Sequence, residues 1–200
     1  MAGKPLADMT LDELWALFPI LLQPHNPQYG AWYGAEKCCI MQAVGDRDAA
    51  RVSHIGSTAV AGLLAKPTVD ILLELDGACN VARVTDALTS VGWGLMLRED
   101  DPFKLEFCKG YTPESYADRV FHLHVRYLGD WDELYFRDYL RAHPDAAAEY
   151  AALKINLKQR FAPDRDAYTA AKSDFVRAHT AAARREFGGR YVPGGTIRKG

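Results

Sequence analysis

The segments TVDILLEL (68–75) and VFHLHVRY (120–127) constrain this chain most, because both alternate with the period of two that belongs to an extended strand. In the first, Val69, Ile71, Leu73 and Leu75 share one face while Asp70, Leu72 and Glu74 share the other. In the second, Phe121, Leu123, Val125 and Tyr127 point one way and His122, His124 and Arg126 point the other. Such strands cover a core on one side, so the second side of their sheet is left for water or for a polar site. Further strands are predicted over 51–55, 93–98 and 103–109, the last two joined by the acidic turn Glu99-Asp100-Asp101-Pro102.

Helices flank these strands. Thr10 and Glu13 form a capping box for a helix carrying Leu11, Leu14, Trp15 and Phe18, which Pro19 ends. Residues 29 to about 44 and 80–91 also read as helices, the latter stopped by Gly92. From Asp130 the pattern becomes helical. Asp130 and Glu133 cap a helix with Leu134, Tyr135 and Tyr139, and Pro144 opens another with the stripe Tyr150, Leu153, Leu157 and Phe161. Asp164 or Asp166 opens a third, with Tyr168, Ala171, Phe175 and Ala182 on one side. The architecture expected is α/β (α+β): a mixed sheet of four or five strands, flanking helices and a C-terminal helical layer. With 200 residues one domain is expected, over 29–187, with its sheet core at about 51–127 and its helical part at about 130–187. Residues 1–28 supply an N-terminal helix and loop, and the Gly-rich, basic stretch 188–200 a loose tail.

Charge and cysteine usage narrow the function classes. The formal net charge of -2, with both signs interspersed, gives no overall basic field for sequence-independent nucleic-acid binding, although a local basic pocket is allowed. Cys38, Cys39, Cys79 and Cys108 form no C-x-x-C pair and read as reduced thiols rather than zinc ligands or a disulfide framework. The start MAGKPLADMTLDELW lacks a secretory pattern, and no apolar run approaches the ~18 residues of a spanning helix, so a cytoplasmic protein is expected.

Chemistry concentrates in HIGSTAVAGLLAKPTVDILLEL, residues 54–75. A strand that ends in Gly56-Ser57, with Thr58 following, lets backbone N–H groups approach an anion, because glycine has no side chain in the way and serine adds a hydroxyl. In most proteins a Gly-Ser pair is only a turn; here it gains weight from the next strand, which carries Asp70 on its polar face. His122 and His124 lie about 6 to 7 Å apart along one strand face, close enough to ligate one metal or flank one phosphate. Lys66, Lys109, Arg119, Lys154, Lys158 and Lys172 could supply phosphate contacts, and Tyr168 with Lys172 could combine base stacking with phosphate pairing. Each of these residues taken singly is more often a solvated charge or a core aromatic.

Together HIGSTAVAGL, AKPTVDILLEL, FHLHV, YFRDYLRAHPDAAAEYAALK and DRDAYTAAKSDF resemble the GrpB-like family, over most of the chain from about Tyr29 to Phe175. That family is similar in fold to the nucleotidyltransferase superfamily, whose signature is a Gly-Gly or Gly-Ser turn followed by a strand reading acid, apolar, acid. The resemblance implies a nucleotide or other phosphorylated ligand at Gly56-Ser57, a Mg²⁺ or Mn²⁺ ion on Asp70, and transfer of a nucleotidyl group to an acceptor. This chain departs from the signature at Leu72, where the second acid belongs. Glu74 is about 13 Å from Asp70 along an extended strand, so Glu106 and His124 are the remaining candidates to complete a metal shell. The missing acid leaves open a protein that binds a nucleotide or phosphorylated metabolite without catalysis. His54-Ile55-Gly56 also begins the HIGH signature of another nucleotidylyl transferase class, but Ser57 stands in place of its last histidine and no KMSKS-like loop follows.

Overall fold

In a computed structural model of the protein, residues 4–162 and 164–194 are described. Helix α1 spans Leu11–Leu17 and α2 Tyr29–Val44, followed by strands β1 (Ala49–Ile55) and β2 (Thr68–Leu75). Helix α3 (Val81–Ser90) leads into β3 (Gly94–Asp100), β4 (Phe103–Tyr111) and β5 (Tyr116–Tyr127). The C-terminal layer consists of α4 (Asp132–Ala142), α5 (Pro144–Arg160), α6 (Arg165–Ala170) and α7 (Ser173–Phe187). The capping box expected at Thr10 and Glu13 is formed. Two expectations need correction. The single third helix of the C-terminal layer is two, because the chain turns at Ala171 and Lys172 without a glycine or proline to mark it. The expected tail is held at Tyr191, whose hydroxyl donates to Asp138 and accepts from Arg137 at 2.7 Å and whose ring packs edge-on against Tyr135, while 188–190 and 192–194 are exposed. The rest of the expected tail, 195–200, lies outside the described residues.

The five strands form one mixed sheet in the order β1-β2-β5-β4-β3. Only β2 and β5 run parallel, in the register Asp70 to His122 and Leu72 to His124; the other pairs are antiparallel. The first face of the sheet follows the alternation read from the sequence. Val69, Ile71, Leu73 and Leu75 of β2 join Leu123 and Val125 of β5 and Leu105 and Phe107 of β4 under Ile40 and Val44 of α2 and Val84 and Leu88 of α3. These side chains are almost wholly removed from water, and at about 25 cal/mol per Å² they are the main favourable contribution to the fold.

The second face is covered only in part. At one end Leu134 of α4 seals Leu72 and Ile55, so Leu72 is as buried as any core residue. Glu74, next along that face, is fully buried and holds the Arg51 guanidinium through both carboxylate oxygens while accepting from the Gly129 amide. Arg51 in turn donates to the Gly129 carbonyl, so this pair ties β1 and β2 to the turn before α4. The remainder of the second face, at Asp70, His122 and His124, is left open beneath α4 to α7. Among the described residues no helix is long and apolar enough to cross a membrane.

Candidate functional site

The open part of the second face is a cleft of about 1490 Å³, beyond the roughly 300 to 1,000 Å³ of an ordinary small-ligand pocket. Its floor is built by register. Because β2, β5 and β4 are neighbours, the polar positions Asp70, His122, His124 and Glu106 that alternation assigns to one side become contiguous. Asp70 Oδ1 lies 3.5 Å from Nδ1 of His122 and 3.9 Å from Nε2 of His124. His124 Nδ1 donates to Glu106 at 2.7 Å, and Arg126 donates to the other Glu106 oxygen at 3.1 Å. On its far side the His122 ring meets the Tyr111 hydroxyl at 2.7 Å, a partner that no sequence pattern had singled out.

The charges in this ladder hold one another ionised. Burial alone would raise the carboxyls of Asp70 and Glu106, but the facing imidazoles, with Arg126 at Glu106, outweigh it. Asp70 is held well below the usual carboxylate range and Glu106 is lowered to about 2. Burial likewise works against a charged His124, yet the two carboxylates raise it to about 9, so near neutral pH it is an imidazolium. The three residues expected to form a metal shell, Asp70, Glu106 and His124, face one another as ion pairs. His124 stands between the carboxylates as their shared cation, and Glu106 is already engaged by His124 and Arg126. Among the described residues no three His, Cys, Asp or Glu side chains are grouped to hold a metal ion. The donor set fits instead an ion that arrives with a phosphate ligand, since Mg²⁺ is commonly held by one carboxylate together with substrate oxygens.

Gly56 ends β1 with φ 68°, a left-handed conformation that favours glycine. A Cβ there would collide with the Asp70 carboxylate, so the glycine permits the close approach of the turn to Asp70. Thr58 faces inward: its hydroxyl meets His54 Nε2 at 3.0 Å and donates to the Thr68 carbonyl at 3.2 Å. The threonine therefore closes the turn instead of contacting a ligand. His54 is buried, stacked on Tyr33, and lowered to about 4 by that burial, which leaves it neutral.

Beyond Ser57 the cleft becomes cationic. Lys154 of α5, only 3% exposed, donates to Ser57 Oγ at 3.0 Å and to the Leu64 carbonyl. Lys172 and Lys66 both lie over the Tyr168 ring, at 4.4 and 5.8 Å from its centroid. Among the described residues none of these three ammonium groups has a carboxylate within ion-pair distance. Burial first, and then the charges of Lys172 and Lys66, push Lys154 down to about 7. Burial and Lys66 push Lys172 down to about 8, and burial with Arg165 also lowers Lys66. Lys154 carried a legible signal, since it falls on the Tyr150–Leu157 stripe where an apolar residue belongs. Arg165, which also lines the cleft, carried none.

Four other expected contacts are corrected. Lys109 alternates to the opposite face of β4, where it pairs with Glu36 at 2.7 Å and donates to the Val91 carbonyl. Arg119 lies over Trp32, 5.6 Å from its ring centroid, and Lys158 is likewise outside the cleft lining. Tyr168 lines the cleft but is 1% exposed and covered by Lys172, so it offers no open face for a base; it carries the two lysines instead.

With this geometry in place, comparison with known proteins is informative. The model of the GrpB protein family matches residues 19–182. A UPF0157 protein of Pseudomonas aeruginosa is 36% identical over 154 residues, covering 76% of this chain and 63% of that protein, so the chain spans less than two thirds of that relative. The glutamate-rich protein GrpB of Alkalihalophilus pseudofirmus is 31% identical over 161 residues, covering 78% of this chain and 91% of that protein. Among solved structures, that of the conserved protein GrpB from Enterococcus faecalis has the same fold, with a TM-score of 0.72 at 24% identity over 84% of this chain and 99% of that one. The matched span contains the Gly56-Ser57 turn, Asp70, both histidines and all three cleft lysines, and the chain belongs to the GrpB family.

Proposed function

We propose that the cleft binds a nucleoside triphosphate, with its phosphates on Lys66, Lys154, Lys172 and Ser57, and that the protein transfers the nucleotidyl group to an acceptor. The observation that carries this is one buried lysine, Lys154, on the turn beside Asp70 and two half-buried ones, Lys66 and Lys172, lining the same cleft over Tyr168, all three without a carboxylate partner among the described residues. Like charges crowded out of water are unfavourable until an anion joins them, and a triphosphate brings several negative charges. The Gly56-Ser57 turn followed by a strand bearing Asp70 is the order that the resemblance to nucleotidyltransferases implies.

In the transfer, the acceptor oxygen or nitrogen forms a bond to the α-phosphorus. The bond from that phosphorus to the pyrophosphate oxygen breaks, pyrophosphate departs with the electron pair, and the acceptor proton leaves to water. Asp70 would hold the Mg²⁺ or Mn²⁺ ion that accompanies the nucleotide and offsets phosphate charge. His124, kept protonated by its two carboxylates, donates to a phosphate oxygen from the floor of the cleft. Lys154 fixes Ser57 and so sets where the phosphates stop.

Leu72, sealed under α4 where the second acid of the signature belongs, favours one alternative: a protein that binds the nucleotide or another phosphorylated metabolite without turnover. Calorimetry with ATP, GTP, CTP and UTP, with and without Mg²⁺, combined with an assay for pyrophosphate, separates the two. Metal-dependent binding with pyrophosphate release is expected. Metal-independent binding without release would establish the binding protein, and no binding of any of the four would remove both.

A further inference from the structure

Four side-chain polar atoms that are shut off from water find no hydrogen-bond partner among the described residues, and two of them, the hydroxyls of Tyr168 and Thr180, belong to residues that line the cleft. These two residues are 1% and 4% exposed. A buried hydroxyl without a partner is unfavourable, and comparable side chains elsewhere in the molecule avoid that state. Tyr33, Tyr111, Tyr135 and Tyr191 all place their hydroxyls on a partner. Thr85 and Thr89, helical like Thr180, donate to the carbonyl one turn earlier, both at 2.9 Å. Thr180 makes no such bond, so its hydroxyl is turned away from the helix backbone.

The two hydroxyls stand at the two ends of one stripe. Lys172, Val176 and Thr180 recur at every fourth residue, with the Val176 amide donating to the Lys172 carbonyl at 3.0 Å, so they share one face of α7, and all three line the cleft. At about 1.5 Å per residue, Thr180 stands about 12 Å along the axis from Lys172. Tyr168 is at the near end, because the Lys172 ammonium lies over its ring. That end is cationic, with Lys66 and Lys172 both over the tyrosine. Toward the far end the stripe presents Val176 and the threonine, and the next turn brings Arg184, which Asp130 and Asp132 already hold.

We infer that the face of α7 from Lys172 to Thr180 is the subsite for the nucleoside half of the triphosphate, with the Thr180 hydroxyl bonded to the nucleoside and the Tyr168 hydroxyl to a phosphate oxygen; this rests on the function proposed above. Burial pushes the Tyr168 phenol up to about 12, so at neutral pH it keeps a proton to donate to an anion. The threonine hydroxyl both donates and accepts, which suits the uncharged polar edge of a nucleoside. Lys66 and Lys172 cover the tyrosine with long flexible stems, and a phosphate that draws their ammonium groups aside uncovers its hydroxyl. A nucleotide therefore gives partners to the lysines and to both hydroxyls at once. Inorganic triphosphate gives them only at the Tyr168 end.

The test is calorimetry, in the presence of Mg²⁺, of the native protein, Tyr168→Phe and Thr180→Val with inorganic tripolyphosphate and with the tightest-binding of the α,β-methylene analogues of ATP, GTP, CTP and UTP. Each substitution keeps the shape of the side chain and removes the hydroxyl. Tyr168→Phe is expected to weaken both ligands about tenfold, whereas Thr180→Val weakens the nucleotide about tenfold and changes tripolyphosphate by less than about twofold. Neither should lower the urea midpoint of the free protein, and a lowered midpoint in Thr180→Val would overturn the assignment by showing that its hydroxyl serves the fold through a buried water. Unchanged nucleotide affinity in Thr180→Val, or a loss shared equally by tripolyphosphate, overturns the nucleoside subsite while native binding leaves the phosphate site standing. Tyr168→Phe that binds both ligands as the native protein does overturns the Tyr168 contact. A native protein that binds neither ligand removes the proposed function, and the subsite with it.

Discussion

The cleft contains two clusters of charge within a few strands of each other, and they are built on opposite terms. In the Asp70, His122, His124, Glu106 and Arg126 ladder each charge faces its opposite, and the pKa of Asp70, Glu106 and His124 moves toward the ionised form. In the Lys66, Lys154 and Lys172 cluster like faces like, and every pKa moves toward the neutral form. The charges of the ladder are balanced within the protein. Among the described residues the lysines have no carboxylate partner, and under the function proposed above the phosphates supply the missing charge.

The largest effect should come from relieving the lysine cluster. Lys154→Met, nearly isosteric and apolar, is expected to weaken triphosphate binding by about a hundredfold while raising the unfolding free energy by about 1 kcal/mol, because a crowded charge is removed. Calorimetry and urea unfolding measure both. A variant that loses stability would show that Lys154 serves the fold. The same kind of change in the ladder has the opposite sign. Glu106→Gln leaves Arg126 and His124 short of a partner and should destabilise by about 2 kcal/mol in the same unfolding experiment; a neutral result would mean that the ladder is not an ion-pair network.

Proton linkage separates the clusters next. His124 is raised above its unfolded value, so its contribution to stability is full below about 6.5 and is lost as pH rises through about 9. Lys154 and Lys172 are depressed below 10.5, so the free protein binds fewer protons than its unfolded chain, and these two groups add stability as pH rises from about 7 to 10.5. Phosphates reverse the lysine shift. Triphosphate affinity should therefore fall as pH rises from about 7 to 9, by at most about tenfold per unit for each proton taken up. Binding that is flat over this range in native protein would refute the dependence, and a fall of equal steepness in native protein and Lys154→Met would assign it elsewhere than Lys154. The smallest effect is expected at Gly56→Ala, about 1 kcal/mol in unfolding, from the left-handed backbone and the displaced Asp70 carboxylate. A crystal structure of that variant with Asp70 unmoved would refute the contact.

How much of this could be read in the sequence depends on the range of the interaction concerned. Alternation placed Asp70, His122 and His124 on one side because the pleat is local, and the adjacency of β2 and β5 then made them neighbours. Alternation could not foresee that Leu72 and Glu74, on the same side as Asp70, would be sealed by Leu134 and Arg51, since that depends on where α4 lands. Lys109 illustrates the converse: its own alternation with Cys108 sent it to the helix-covered face, but treating it as a residue of a strand end concealed this. The bend at Ala171 and Lys172 was invisible because neither residue breaks helices, yet it brings the Lys172 ammonium over Tyr168.

The single parallel pairing in the sheet has a kinetic consequence. Thr68 to Leu75 must find Val120 to Tyr127, with α3 and the β3–β4 hairpin strung between them, before Asp70 can meet either histidine. Such a closure is expected to be slower than formation of the helices and of the hairpin, whose partners are closer in sequence. A nascent chain that has not yet released β5 carries the Gly56-Ser57 turn but cannot carry the polar centre beside it.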